Sequence, residues 1–142
     1  MRTFYIFNIN SSIAKLYRNN EFVLYDILYE IYKLDKDELL LGFKFFKQFV
    51  SRINKGDLNL FMYNNLKNNM TYIKTMDRHV INDKFSGENS EIIIHNSHVL
   101  LKSNKELAKF LFLLSKYQNN FFVCDFVNKD YFWISNLIKS VQ

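Results

Sequence analysis

TFYIFNI, residues 3–9, is a run in which only Thr3 and Asn8 lack an aromatic ring or a β-branched aliphatic side chain. Rings and β-branched side chains favour a strand. The absence of an alternating polar position favours a strand covered on both faces. A chain that opens this way needs packing layers on two sides, and the next segments along it read as helices.

SSIAKLYRNNEF, residues 11–22, places Ile13, Leu16 and Tyr17 at i, i+3 and i+4, one side of a helix. Ser11 or Ser12 is expected to cap its start and Asn19-Asn20 to stop it. About two turns remain, fewer than the ~12–15 residues an isolated helix needs to persist in water. The stripe must therefore be held by the fold, by a partner, or by both; taken alone, it reads as core.

EFVLYDILYEIYKL, residues 21–34, reads as a longer and mostly buried helix, aliphatic along Val23, Leu24, Ile27, Ile31 and Leu34 and aromatic along Phe22, Tyr25, Tyr29 and Tyr32. A third helix is expected from a capping box at Asp35 and Glu38, with Leu39, Phe43, Phe46, Val50 and Ile53 inward and Lys44, Lys47, Gln48 and Ser51 outward. Gly56 and Asp57 open a weaker fourth helix. Residues 70–90 lose periodicity and contain SGENS, a loop signal. EIIIHNSHVLLK reads as a hairpin about Asn96-Ser97. Ser103 and Glu106 form a second capping box ahead of Leu107, Phe110, Leu111, Leu114 and Tyr117. FFVCDFVNKDYFWI then gives a second hairpin about Asn128-Lys129. About five strands and four to five helices, with β structure at both ends, predict an α/β (α+β) domain over residues 1–142, its mixed sheet packed with helices.

Composition agrees with a folded chain: 49% of the 142 residues are hydrophobic and 18% aromatic, with 15 Phe and 9 Tyr. Cys124 is the only cysteine, so no internal disulfide can form, and the sequence shows no basic-then-apolar leader and no run of 18 apolar residues. A cytoplasmic protein without membrane attachment, monomeric, is the expectation. The net charge of +5 comes from 15 Lys and only 4 Arg, scattered along the chain. A basic surface attracts nucleic acid, but Arg, which makes bidentate phosphate and base contacts, is scarce. Direct nucleic-acid binding is therefore disfavoured, and a small basic nucleic-acid-binding regulatory protein stands as the alternative class.

Enzyme chemistry finds little to build on. His79, His95 and His98 lack the spacing of a zinc site and read as surface histidines, the last two flanking a turn. Cys124 lies in an apolar strand with no base beside it and reads as structural. Asp125 shares a strand face with Phe121 and Val123, so its carboxylate is expected to be paired with backbone N–H groups or with Lys or Arg. Gly42, Gly56 and Gly87 are too far apart for a phosphate-cradling loop. No catalytic residue, metal ligand or cofactor is assigned.

FYIFNINSSIAKLYRNNEFVLYDIL, residues 4–28, resembles the start of the SirA family of sporulation inhibitors of replication. That start is an aromatic strand, a short helix with a ring or aliphatic residue where Ile13 falls and a Tyr where Tyr17 falls, and a second amphipathic helix. FFVCDFVNKDYFWISN, residues 121–136, is similar to the family's ending, an Asp-Phe pair followed by Lys, Tyr and Trp, here Asp125, Phe126, Lys129, Tyr131 and Trp133. The resemblance implies a non-catalytic regulator that binds the N-terminal domain of the replication initiator DnaA and restrains replication on entry into sporulation. It also implies a docking surface of Ile13, Tyr17, Gln48 and Asn136, with Ile13 where an aromatic can stand and Asn136 where a proline can. Leu16 and Ala14 are then assigned to the fold.

Overall fold

A computed structural model describes residues 1–34 and 39–137. Its elements run β1 (Arg2–Asn8), α1 (Ser11–Tyr17), α2 (Glu21–Tyr32), α3 (Leu39–Phe49), α4 (Lys55–Leu66), β2 (Tyr72–Thr75), β3 (Arg78–Asp83), β4 (Glu88–Ile94), β5 (Val99–Ser103), α5 (Lys109–Tyr117), β6 (Phe121–Asp125) and β7 (Asp130–Trp133). Residues 135–137 are again helical. Among the described residues the strands form one sheet, ordered β2-β3-β4-β5-β1-β6-β7.

β1 lies inside this sheet, paired antiparallel with β5 on one side and β6 on the other. Phe4 and Ile6 point to a core shared with Leu58 and Met62 of α4 and Phe110, Leu111 and Leu114 of α5. Phe7 and Ile9 point the opposite way, to a second core with Ala14, Leu24, Leu28, Phe49 and Trp133. The double coverage expected from TFYIFNI is therefore realised, each face of one strand feeding its own helical layer.

The class stands, but the sheet differs from the expectation in two respects: among the described residues it has seven strands, and every pairing is antiparallel. Short hairpins join β2 to β3, β3 to β4, β4 to β5 and β6 to β7, and a hairpin can make only antiparallel neighbours. The additional strands come from residues 70–90, expected as irregular. The period of two is present there but mixes polar with apolar side chains: His79 and Ile81 alternate inward on β3, and Glu88 and Ser90 extend inward the strand expected from Ile92 and Ile94 on β4. SGENS supplies the turn between them, where Gly87 takes φ +77° and Asp83 accepts from the N–H groups of Phe85 and Ser86.

Helix starts also depart from the expected caps. Asn10 stands at the N-cap of α1, so Ser11 and Ser12 fall within the helix. The Asp35–Glu38 box lies outside the described residues, as does the side chain of Leu39. Ser103 does not cap α5: its hydroxyl contacts Ser90 Oγ at 2.7 Å and accepts from the N–H of Lys105 at 3.0 Å. The buried Glu88 instead crosses from β4, accepting from the N–H of Lys109 at 3.2 Å and from Ser90 Oγ at 2.6 Å. Glu88→Ala removes this remote cap and one of the two partners of the Ser90 hydroxyl, which keeps Ser103, so a urea melt should register a loss of about 1–2 kcal/mol. Glu88→Gln, which keeps an acceptor, should lose less.

The packing of α2 and α3 is rotated from the expected faces. On α2 the buried side chains are Leu24, Tyr25 and Leu28, while Phe22, Val23 and Tyr32 are exposed and Ile27 and Ile31 half-buried. On α3 the inward turn ends on Phe49, with Phe46 half-buried and Phe43 exposed. Both helices are apolar around most of their circumference, so periodicity alone does not choose the inward side. Gly42 is buried where α3 meets Leu34, and a β-carbon there would collide with the end of the Leu34 side chain.

Candidate functional site

α1 is clamped at both ends. At its start the Asn10 N–H donates to the Phe49 carbonyl at 2.9 Å, and the Asn10 side chain donates to the Gln48 carbonyl at 2.8 Å and accepts from Ser51 Oγ. Ile9 forms a β-bridge with Val50 beside these bonds. At its end the Arg18 guanidinium donates to Ser135 Oγ at 3.3 Å and Asn120 Oδ1 at 3.0 Å, and it lies over the Trp133 ring at 4.2 Å. Cation–π contact and hydrogen bonds together offset the weakness of a two-turn helix.

Ala14 is the residue of α1 that is fully buried. Leu16 sits about 200° around the helix from Ala14, at about 100° per residue, so with Ala14 inward Leu16 must face out. It does, with 69% of its surface exposed, which corrects its assignment to the fold. Ile13 and Tyr17 are half-buried against the second core, with the Tyr17 ring 6.4 Å from Phe49. Phe45, 45% exposed, continues this row at 5.0 Å from Phe49.

The four positions named from the sequence thus gather around one short helix. Ile13 and Tyr17 lie on it. Gln48 is exposed on α3, its carbonyl held by Asn10 at the start of α1. Asn136 is half-buried next to Ser135, which Arg18 holds at the other end. The sequence marks Leu16 as part of the stripe but assigns it to the fold, and it gives no role to Phe45 or to the Arg18 tether. The helical angle from Ala14 could have found Leu16, whereas Arg18 carries no signal until residues 120–135 are placed beside it.

The family model for the sporulation inhibitor of replication protein SirA matches residues 2–138. The chain belongs to the SirA family. No curated protein matches it. SirA is by that name an inhibitor of replication in sporulation, and the family is a regulatory one. The match joins the opening strand and short helix to the closing hairpin, the two regions that meet at Arg18 and Trp133.

Elsewhere in this SirA-family chain the buried titratable groups are held by packing or by hydrogen bonds. His79, expected at the surface, is fully buried, its Nδ1 2.7 Å from Tyr72 Oη and its Nε2 2.7 Å from Asn59 Oδ1. Asn59 in turn donates to Asp77, which pairs with Lys55 at 3.0 Å. His98 is half-buried against Tyr5 and Phe7, and His95 is exposed. Cys124 is buried, and burial pushes its thiol well above the usual range, so it offers no thiolate. Asp125 is buried and paired with Arg2 at 2.9 Å, as expected of an acid on that face. Among the described residues no three His, Cys, Asp or Glu side chains stand together as a metal-holding group, and no helix is long and apolar enough to cross a membrane.

Proposed function

We propose that the protein binds the N-terminal domain of the replication initiator DnaA through the surface centred on α1, and so restrains chromosome replication as a cell enters sporulation. The observation that carries this reading is the apolar surface left on a clamped two-turn helix: Leu16 exposed, with Ile13 and Tyr17 half-buried beside it. An aromatic anchor with aliphatic neighbours and a polar surround is the usual composition of a docking centre. Ser12, Lys15 and Gln48 supply exposed polar groups around it. Membership of a family of replication inhibitors supports the same reading.

The mechanism is competition. Occupying one face of a small initiator domain excludes whatever else that face must bind, and this requires no catalytic group, metal or cofactor in the inhibitor. The protein acts in the cytoplasm as a monomer.

Calorimetric titration with the DnaA N-terminal domain of the same organism tests the proposal. Leu16→Asp and Tyr17→Ala should each weaken binding at least about 20-fold, roughly 2 kcal/mol. Leu16→Asp should leave the melting temperature unchanged, because its side chain is already in water. Binding by both variants at the wild-type affinity would move the docking surface away from α1. Binding to duplex DNA in place of the DnaA domain, with an affinity that falls steeply and log-linearly with salt, would favour the nucleic-acid-binding class.

A further inference from the structure

α2 and α3 enclose an open groove whose floor is Ile27, Ile31 and Phe45. Asp26 and Glu30 form one lip, one turn apart on α2, and Lys44 and Gln48 form the other on α3. The rotation of α2 is what exposes this floor: with Leu24, Tyr25 and Leu28 inward, Ile27 and Ile31 are left half outside. Phe45 belongs to both surfaces, because its ring meets Phe49 at 5.0 Å and Phe49 meets Tyr17 at 6.4 Å. The groove is therefore joined to the α1 surface through the buried Phe49 ring, with Gln48 exposed between them.

We infer that this groove receives an amphipathic helix of the partner, edged with basic side chains toward α2 and with acidic or amide side chains toward α3. The inference rests on the proposed function, which it extends to a second contact element. A helix fits where an extended segment does not, since the backbone donors and acceptors inside α2 and α3 are already taken within each helix. A strand would find no edge to pair with, whereas a helix satisfies its own backbone and brings only side chains. The charge pattern sets its direction. Asp26 and Glu30 repel an acidic edge and attract a basic one, and Lys44 does the reverse. Ile27 to Ile31 is one turn, about 6 Å along the axis, so two to three turns of partner helix cover the floor.

The test is calorimetry of the full chain against the DnaA N-terminal domain, with amide hydrogen exchange in the same complex. Phe45→Ala should weaken binding about tenfold, and Glu30→Lys and Lys44→Glu about three- to tenfold each, with melting temperatures unchanged for the two charge variants; exchange in residues 24–33 should slow on binding. Wild-type binding with all three groove variants within twofold of it, and no protection of α2, would overturn the groove while leaving the α1 surface in place. Loss in the groove variants with normal binding by Leu16→Asp would keep the groove and remove α1. No binding by the wild-type chain would overturn both readings. If the variants change self-association in sedimentation instead of partner affinity, the occupant is a second copy and the inference fails.

Discussion

Between pH 7 and pH 5 the protein should lose about 3–4 kcal/mol of stability, read as a fall in the urea midpoint at constant m-value. Burial, followed by the charge of Lys74, lowers the pKa of His79 to about 4, and burial, followed by His95, does the same for His98. Both values lie below the ordinary histidine value of about 6.5, so as pH falls the unfolded chain takes up protons that the folded chain refuses. Stability is complete above about pH 7 and is lost from there down to about pH 4, with about 2 kcal/mol from each histidine by pH 5. The carboxylates Asp77, Asp83, Glu91 and Asp125 are all held below their usual range, so they remain ionised in this window and leave it to the histidines. His79→Gln with His98→Gln should flatten the profile between pH 5 and 7 even if both variants are weaker at pH 7. Equal wild-type midpoints at the two pH values would mean that both rings ionise freely in the folded state. His98 packs on Tyr5 and Phe7, so acid should also weaken the second core, on which α1 rests.

Which parts of the fold were legible in the sequence depends on which side chains the core uses. TFYIFNI, the two hairpins at Asn96 and Asn128, and the existence of five helices are carried by apolar residues, whose periodicity survives in one dimension. β2, β3 and the first residues of β4 carry no such signal, because the sheet buries His79, Glu88 and Ser90 at positions where Val or Ile would mark a strand. Each is satisfied only across the fold, His79 by Asn59 of α4 and Glu88 by the start of α5. The inward faces of α2 and α3 were misjudged for the opposite reason, an excess of rings and aliphatics. Around α1 the i, i+4 spacing places Ile13 and Tyr17 together, as the structure has them, and the helical angle from an inward Ala14 turns Leu16 outward. The clamp through Arg18 joins positions 117 residues apart and could not be read from either end.

Asp125→Ala should cost about 2–3 kcal/mol at pH 7, the range for stranding hydrogen-bonded donors in a part-buried turn, because Arg2, 28% exposed, keeps its pair with Asp130 at 2.8 Å. The carboxylate does two things at once. Its Oδ1 accepts from the N–H groups of Val127 and Asn128, both at 3.1 Å, which closes the turn between β6 and β7. Its Oδ2 accepts from Asn128 Nδ2 at 2.7 Å and from Arg2 Nε at 2.9 Å, tying that turn to the first residue of β1. Lys129 holds φ 55° in the same turn, a left-handed conformation that a β-carbon makes unfavourable and that these bonds must sustain. Burial alone would raise the Asp125 pKa, but the bonds from Asn128 and Arg2 outweigh it and hold the carboxyl below its usual range. Its contribution is therefore fully present above the ordinary carboxylate pKa of about 4 and is lost only as pH falls through the lower folded value. The acid step from Asp125 lies below the histidine step, so a pH series separates the two. Asp125→Asn, which keeps one acceptor and loses the charge, should cost about half as much as Ala at pH 7, and its difference from wild type should shrink below about pH 4. The turn also presents Phe126, whose ring stacks on Tyr32 at 4.4 Å and meets Tyr25 at 5.8 Å, so its loss should free the outer side of α2. Hydrogen exchange in residues 24–33 should rise in Asp125→Ala before the sheet opens. A variant within about 1 kcal/mol of wild type at pH 7, with α2 still protected, would show that the turn stands on its backbone alone and that α2 is held by the stack of Tyr25 on Tyr131, 4.8 Å apart.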